Sequence, residues 1–462
     1  MAYRGRHAQC ERDDHAGRPR RAALTRTLRR QAPGRSAPGL RRTPGPGSSQ
    51  PDPDLQEKTM VDHRRLGREL ELFHADPLSG AGLPIWLPAG AAARHSVESY
   101  VRELERQAGY QHVYSPPLGK RELFELSGHL GYFADDMFPV LRLSADDEFV
   151  LRPALCPHHA LVYRARGRSY RELPLRIAEL GGMYRSERSG VLGGLSRVRA
   201  ISLNDAHNFC AVEQVGAEVA EILDLIRVAH AALGVRPAGF RLSLRGPGEK
   251  YVGDDEMWQH AENLLREALS GLPYVEAPGE AAFYGPKIDI QILDGAGRES
   301  TISTIQLDFD KPARFDLSYT DSSGGRSRPV MVHRSLVGSM ERLFAYLIEV
   351  HSGAFPAWYA PVQVQVLPVG PEQLAAAEAF RQECVRAGLR AELVGDGSLG
   401  ARVRGAAQRR VPYAAVLGAR EVAAGQVALR LRDGRAVEPM AAPDALRMIS
   451  GIVAAHSAEL LP

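Results

Sequence analysis

The chain has 462 residues, 58 of them basic and 55 acidic, so its net charge of +3 is a small remainder that by itself points to no polyanionic partner. A composition of 44% hydrophobic and 24% charged residues excludes a disordered or fibrous chain, and the length exceeds one ordinary core, so two or three domains are expected. The four cysteines, Cys10, Cys156, Cys210 and Cys384, are too few and too scattered for a disulfide framework; no stretch approaches the roughly 18 apolar residues that span a bilayer. The first residues lack the apolar middle of a secretory signal, so a cytoplasmic protein without membrane contact is expected.

Residues 1–59 are rich in Arg, Pro, Gly and Ser without helical or strand periodicity, and read as a disordered basic tail. From His95 a helical stripe of Val97, Tyr100, Val101, Leu104 and Ala108 runs to Gly109, placed to end it, and a strand follows around Val113. Helices are expected over about 212–233 and 254–269. Lys287 to Ile292 alternates, with Ile288, Ile290 and Ile292 on one face and Asp289 and Gln291 on the other. Thr304 to Phe309 repeats the design: Ile305, Leu307 and Phe309 would be buried, leaving Thr304, Gln306 and Asp308 on the face where a ligand could lie. Such alternation suits an antiparallel sheet with one covered face.

After Phe355 to Pro361 the texture changes to strand, helix, strand. Val362–Leu367, a helix near 373–387, Ala391–Val394, a helix near 399–409 and Ala414–Leu417 imply a small α/β domain of about a hundred residues.

Four segments concentrate the chemistry: Arg152 to His159 (RPALCPHH), Tyr184 to Gly190 (YRSERSG), Asn204 to Cys210 (NDAHNFC) and Val332 to Leu343 (VHRSLVGSMERL). One cysteine and two histidines, Cys156, His207 and His333, are a donor set that could give zinc three ligands and leave a fourth position open. Arg185 and Arg342 are cationic forks of the kind that stabilise charge on a transferring phosphoryl group. Gly338 and Ser339 precede Arg342 by four and three positions, which would clear the neighbouring face of a helix.

Together, and in the same order, these segments resemble the active-site motifs of the threonyl-tRNA synthetases, a class II aminoacyl-tRNA synthetase family, from about Met60 onward. The resemblance implies an α+β fold: a class II antiparallel sheet flanked by helices over 60–358, then a small α/β anticodon-binding domain over 359–462. It implies a short form without the N-terminal editing module, and a homodimer whose interface is built around Val113 to Pro117. The implied activity is threonine–tRNA ligation, in which ATP activates L-threonine to the adenylate and the threonyl group passes to tRNA(Thr). One Zn2+ per chain would sit on Cys156, His207 and His333, its open position taking the substrate's amino and hydroxyl groups, and Mg2+ would accompany ATP. Arg185 and Arg342 would be catalytic and would bind ATP with Glu187, which would hold the adenine amino group, and Arg197, which would reach the terminal phosphates. Asp205 would accept from the threonine hydroxyl, and Tyr284 and Gln306 would fix the amino or carbonyl end. Arg409, Arg410, Glu421 and Arg430 would contact tRNA, with Arg402 and Arg404 adding basic contacts to its backbone.

The chain also departs from that pattern. Leu155 stands where the family usually has Asn, His158 where it has Gly, Ile201 in place of an adenine-stacking aromatic, Leu203 in place of Gln, and Ser300-Thr301 in place of Trp-Gln. These positions are expected to line the pocket, so the alternative is a specialised paralogue with a changed amino acid or acceptor: an inhibitor-resistant copy, or an amino-acid-activating enzyme of a biosynthetic pathway. A module that kept the fold and lost the chemistry is a second rival, opposed by the intact arginines and metal triad. Gly395-Asp-Gly397-Ser-Leu-Gly400 is a lone G-x-G-x-x-G, the handle for a dinucleotide reading, in a domain too small for that fold.

Overall fold

The computed structural model describes residues 61–248, 251–252 and 255–462; the expected basic tail at 1–59, with Cys10, lies outside the described residues. Two helices come first, α1 (His63–Glu69) and α2 (Pro88–Gln107). Helix α2 begins at Pro88 rather than His95, because proline's fixed φ and missing N–H suit the first turn of a helix. Gly109, at φ +82°, follows its end. Along the chain then come β1 (Gln111–His112), α3 (Cys156–Arg164), β2 (Leu175–Tyr184), β3 (Ala200–Cys210), α4 (Val215–Leu233), β4 (Gly239–Leu244) and α5 (Asp255–Ala268). The strands β5 (Tyr274–Pro278), β6 (Lys287–Leu293), β7 (Glu299–Asp308) and β8 (Val330–Ser335) and helix α6 (Met340–Val350) complete this part.

The eight strands form one sheet in the order β5-β4-β6-β7-β8-β3-β2-β1. It is antiparallel throughout its centre and parallel only at the two outer pairs, β5 with β4 and β1 with β2. One face is covered. Ile288, Ile290, Ile305, Leu307 and Val332 pack there against Val219, Ile222 and Ile226 of α4 and Leu343, Phe344 and Leu347 of α6. Phe309, expected in that core, is only half-buried, because β7 ends at Asp308 and Phe309 instead precedes a short helix, Asp310–Arg314.

The C-terminal elements are β9 (Val364–Pro368), α7 (Leu374–Arg386), β10 (Ala391–Leu393), α8 (Leu399–Gln408), β11 (Tyr413–Leu417), α9 (Ala419–Ala424), β12 (Gln426–Leu431), β13 (Met440–Ala441) and α10 (Ala442–Ala454). Their sheet runs β10-β9-β11-β12-β13, parallel over the first three and antiparallel over the last two. It has its own core, in which Val364, Val366, Tyr413 and Leu429 meet Phe380 of α7 and Ile449 of α10. Strand β12 shows the period-two signal of a half-covered strand, Val427, Leu429 and Leu431 buried between more exposed residues, although the sequence reading stopped at Leu417. No helix among the described residues is long and apolar enough to cross a membrane.

A buried ion pair ties α2 to the sheet. Arg334 on β8, 0% exposed, lies 2.7 Å from Glu105 of α2, 1% exposed, and its guanidinium sits 4.1 Å above the Tyr110 ring centroid. Asn204 on β3 completes the knot: its amide donates to Glu105 Oε1 at 2.7 Å, and its carbonyl accepts from the Leu336 N–H at 3.0 Å. Desolvating two charges is costly, and removing one strands the other in a dry interior. Replacement Glu105→Ala is therefore expected to lower unfolding stability by about 3–5 kcal/mol, whereas Arg106→Ala, which removes an exposed pair with Glu103, leaves the denaturation midpoint unchanged. Chemical denaturation of the two variants checks this.

Candidate functional site

The open face of the sheet is the floor of a cleft of about 730 Å³. Residues directly opposite one another on paired strands share a face, and the register aligns Lys287 with Gln306, Gln306 with His333, and His333 with His207. A row of polar side chains thus crosses four strands. Cys156 joins it from another direction, as the first residue of α3. Cys156 Sγ and one ring nitrogen each of His207 and His333 lie within 4.8 Å of one another.

The protonation of this cluster follows from its neighbours. Glu179 is held down to about 2, its burial outweighed by hydrogen bonds from His159 and Ser115 and by the Arg152 charge. Asp308 is also held at about 2, its burial outweighed by Lys311 and His333. Both are therefore carboxylates and only accept. His159 Nε2 faces Glu179 at 3.2 Å and must donate, so its Nδ1 carries a lone pair; that Nδ1 faces His207 Nδ1 at 2.7 Å, so His207 donates there. His333 Nε2 donates to Asp308 at 2.9 Å. His207 Nε2 and His333 Nδ1 are consequently both bare, and they face each other at 3.1 Å. Burial keeps both rings neutral. Two lone pairs at that separation repel unless a cation lies beside them, and the outer nitrogens show the carboxylate- and His-supported arrangement of metal ligands. Burial, with Asp205 and Asp308 nearby, pushes the Cys156 thiol up to about 12 against the pull of Lys311; an adjacent cation would draw out its proton. One sulfur and two imidazole nitrogens are a zinc-type donor set.

Beyond the triad the cleft is cationic. Arg185 follows directly on β2; its guanidinium packs on the Phe133 ring at 5.1 Å, and its Nε is buried without a hydrogen-bond partner among the described residues. Arg342, in the first turn of α6, donates from Nε to the Ser196 carbonyl at 3.3 Å and from Nη1 to that of Thr301 at 3.2 Å. Its side chain is reached by solvent but walled by the cleft, and that enclosure, with the charges of Arg185 and Arg197, lowers its pKa. Arg197 is paired with Glu187 at 2.8 Å. Three guanidinium groups thus share one cleft, of which only Arg197 is in an ion pair among the described residues, an arrangement suited to a polyanion.

Gly338 and Ser339 do not lie on the helix face as expected. Helix α6 starts at Met340, Ser339 is its cap and accepts from the Arg342 N–H at 3.1 Å, and Gly338 sits in the preceding turn at φ +68°. A side chain at 338 would also strike the Ile302 carbonyl at 2.5 Å, so close backbone approach requires the glycine there.

Between triad and arginines, Tyr284 stacks on His333 with centroids 5.0 Å apart and donates its hydroxyl to Gln306 Oε1. Lys311 lies 3.5 Å above the Tyr284 ring while paired with Asp308, both side chains fully buried. Asp205 lines the same cleft, and burial raises its carboxyl to about 7 against the pull of Arg334. Ile201, Leu203 and Thr301 are cleft residues as expected. Leu155 is not: it is fully buried and packs on Gly181, where a β-carbon would lie 2.2 Å from it. His158 is likewise turned away, against Phe124.

The C-terminal candidates are less gathered. Arg430 is exposed on β12, and Glu421 caps α9 by accepting from the Gly418 N–H at 2.9 Å. Arg409 is paired with Glu392, and Arg410 is exposed at φ +57°. Arg402 faces inward, contrary to expectation; it is buried and donates to the carbonyls of Pro368, Val394 and Val369 at the ends of the parallel strands. The G-x-G-x-x-G run is a capped helix start, with Gly397 at φ +79° and Ser398 accepting from the Ala401 N–H.

The sequence reading gave no role to His159, Lys311, Phe133 and His129, and placed Asp308 only on the strand face where a ligand could lie. His129 lines the cleft with its Nε2 3.9 Å from Cys156 Sγ and its Nδ1 against Ser127. Asp308 carried the period-two signal of its strand, and His159 stands three positions after Cys156 on the same helical face; the others reach the site through tertiary packing.

The tRNA synthetase class II core domain (G, H, P, S and T) matches residues 141–351, and the anticodon binding domain matches residues 363–451. The threonine–tRNA ligase of Halalkalibacterium halodurans is 48% identical over 382 residues, covering 81% of this chain and 59% of that protein; that of Levilactobacillus brevis is 46% identical over 417 residues, covering 88% and 64%. The chain thus spans about three-fifths of the length of these relatives. Among solved structures, the RNA binding domain of threonyl-tRNA synthetase from Cryptosporidium parvum Iowa II superposes with a TM-score of 0.80 at 34% identity, covering 85% of this chain and 98% of that one. Prolyl-tRNA synthetase from Giardia lamblia, at 18% identity and a TM-score of 0.66 over 86% of this chain and 79% of that one, shares the fold. With its core and anticodon-binding matches and these relatives, the chain belongs to the threonyl-tRNA synthetase family of class II.

Proposed function

We propose that this chain is a threonine–tRNA ligase, activating L-threonine with ATP over residues 60–358 and delivering it to tRNA(Thr) bound through residues 359–462. The observation that carries the reading is the pair of bare imidazole nitrogens beside Cys156, at one end of a cleft whose other end holds three guanidinium groups. Cys156, His207 and His333 would hold one zinc ion, which supplies a site for an amine and a neighbouring hydroxyl together. Asp205, beside that site, would accept from the substrate hydroxyl, and Tyr284 and Gln306 would orient the amino or carbonyl end. The carboxylate so placed attacks the α-phosphorus of ATP: an oxygen–phosphorus bond forms, the bond to the bridging oxygen breaks, and pyrophosphate leaves with the electron pair. Arg185 and Arg342 would meet the charge that grows on the α-phosphate, in an enclosed cleft where fixed cations act strongly. Glu187 would take the adenine amino group, Arg197 the terminal phosphates, and Mg2+ would accompany the nucleotide. A cytoplasmic homodimer is proposed from the family resemblance.

Pyrophosphate exchange into ATP is expected with threonine, weakly with serine and not with valine, which lacks the hydroxyl. Arg185→Ala or Arg342→Ala should each reduce it by about a hundredfold or more. Exchange driven by another amino acid would replace the threonine reading, and no exchange with any would remove the activity. Elemental analysis should find one zinc per chain, lost in Cys156→Ser; His159→Gln, which releases the His207 tautomer, should weaken zinc affinity by about 10–100-fold in chelator competition. Arg430→Ala should raise the KM for tRNA in aminoacylation and leave the exchange reaction unchanged.

A further inference from the structure

Arg197 and Glu187 lie on the segment that joins β2 to β3, and His63 of α1 holds that segment. At its tip the Leu195 side chain is fully buried, and the Leu195 N–H donates to His63 Nε2 of α1 at 3.2 Å. The other nitrogen, His63 Nδ1, lies 2.7 Å from Glu349 Oε1, in the last turn of α6. Because Nε2 accepts, Nδ1 must be the donor. Arg342, in the first turn of that same helix, donates to the carbonyl of Ser196, the residue next to Leu195. A closed circuit results: His63 to Leu195, Ser196 to Arg342, along α6 to Glu349, and back to His63.

The turn is shaped around this imidazole. Gly194, at φ +56°, would place a β-carbon 2.4 Å from His63 Nε2, so only glycine lets the ring approach. Phe73 lies roughly parallel to the ring, 6.5 Å between centroids at 28°, and His63 is 6% exposed. Asp62, His63 and Glu349 are near enough to share a cation, but both ring nitrogens are committed and Asp62 grips Arg64 with both oxygens. The arrangement is a latch, not a metal site.

We infer that His63 is a positioning residue for ATP, fixing the segment that bears Arg197 against the helix that bears Arg342 so that the two arms of the nucleotide clasp keep one spacing. The inference rests on the assignment of Arg197 and Arg342 to ATP made above. Loss of the latch frees one arm without touching the metal triad or the floor of the cleft.

The full chain should be compared with His63→Ala, His63→Gln and Gly194→Ala. In pyrophosphate exchange, His63→Ala should raise the KM for ATP roughly tenfold, with the KM for threonine and kcat at saturating ATP little changed. The amide of His63→Gln can donate to Glu349 and accept from Leu195, and should restore most of the ATP affinity; Gly194→Ala, which leaves both latch partners in place but wedges them apart, should repeat the defect. Trypsin cleavage after Arg188 and Arg197 in the nucleotide-free protein should be faster in His63→Ala than in the parent. An unchanged KM for ATP, or equal losses for ATP and threonine without rescue by glutamine, overturns the latch. Should the parent show no exchange, the activity reading fails, and the trypsin comparison alone decides the latch: equal cleavage rates overturn it.

Discussion

Two carboxylates placed at the ends of a row of imidazoles govern the chemistry of the cleft. Glu179 and Asp308 are both ionised and can only accept, so His159 and His333 must point protons outward to them, and the relay through His159 leaves His207 no alternative but to present a bare nitrogen to His333. The orientation of each ring is thus decided one residue further from the cleft than the ring itself. Glu179 is in turn held by Arg152 at 3.1 Å, and Asp308 by Lys311, so both anions are compensated without losing their accepting role. A triad of this kind depends on a supporting shell of charges that never face the ligand.

The antiparallel register makes the rest of the site possible. Gln306, His333 and His207 come from strands far apart in the chain, yet share one face because each is directly opposite the next. The covered face supplies the rigidity: Ile305, Leu307 and Val332, alternating with these polar residues, are fully buried against α4 and α6. A slip of one residue at β8 would turn His333 into the core and Val332 into the cleft. The pair of Glu105 and Arg334 opposes such a slip, because Arg334 is the neighbour of His333 and finds its countercharge only on α2 in the observed register.

The cleft is divided by its electrostatics. At one end are neutral imidazoles, a thiol and an acid raised to about 7, groups that desolvation keeps uncharged or only partly charged. At the other end Arg185, Arg197 and Arg342 crowd together, with Glu187 and, near Arg185, Asp136 as countercharges, a concentration of positive charge that a polyphosphate would relieve. This separation matches the proposed chemistry, in which an amino acid and a nucleotide triphosphate must be held side by side without exchanging places.

Much of this was written locally. The period-two patterns of Lys287–Ile292 and Thr304–Phe309, the helices near 212–233 and 254–269 and the alternation after Val362 are local properties of the chain, and the structure has them within a few residues. The motif residues Cys156, Arg185, His207, His333 and Arg342 were legible because the segments that hold them resemble, in order, the motifs of a known family, and all five line or border one cleft. What the sequence could not determine is which charged residues point inward. Arg402 and Arg430 read alike as basic residues, yet one is buried on strand-end carbonyls and the other is exposed; Leu155 reads as a pocket change and is core. Glu179 and His63 left no local sign, and for Asp308 and His159 only the face of the element was legible, not the partner, since each acts on a residue 20 or more positions away, with His159 and His207 48 apart and His63 and Glu349 286 apart. Periodicity and motif report what each residue does with its neighbours in the chain; the tautomers, the paired charges and the latch arise only from contacts that packing of the sheet and helices creates.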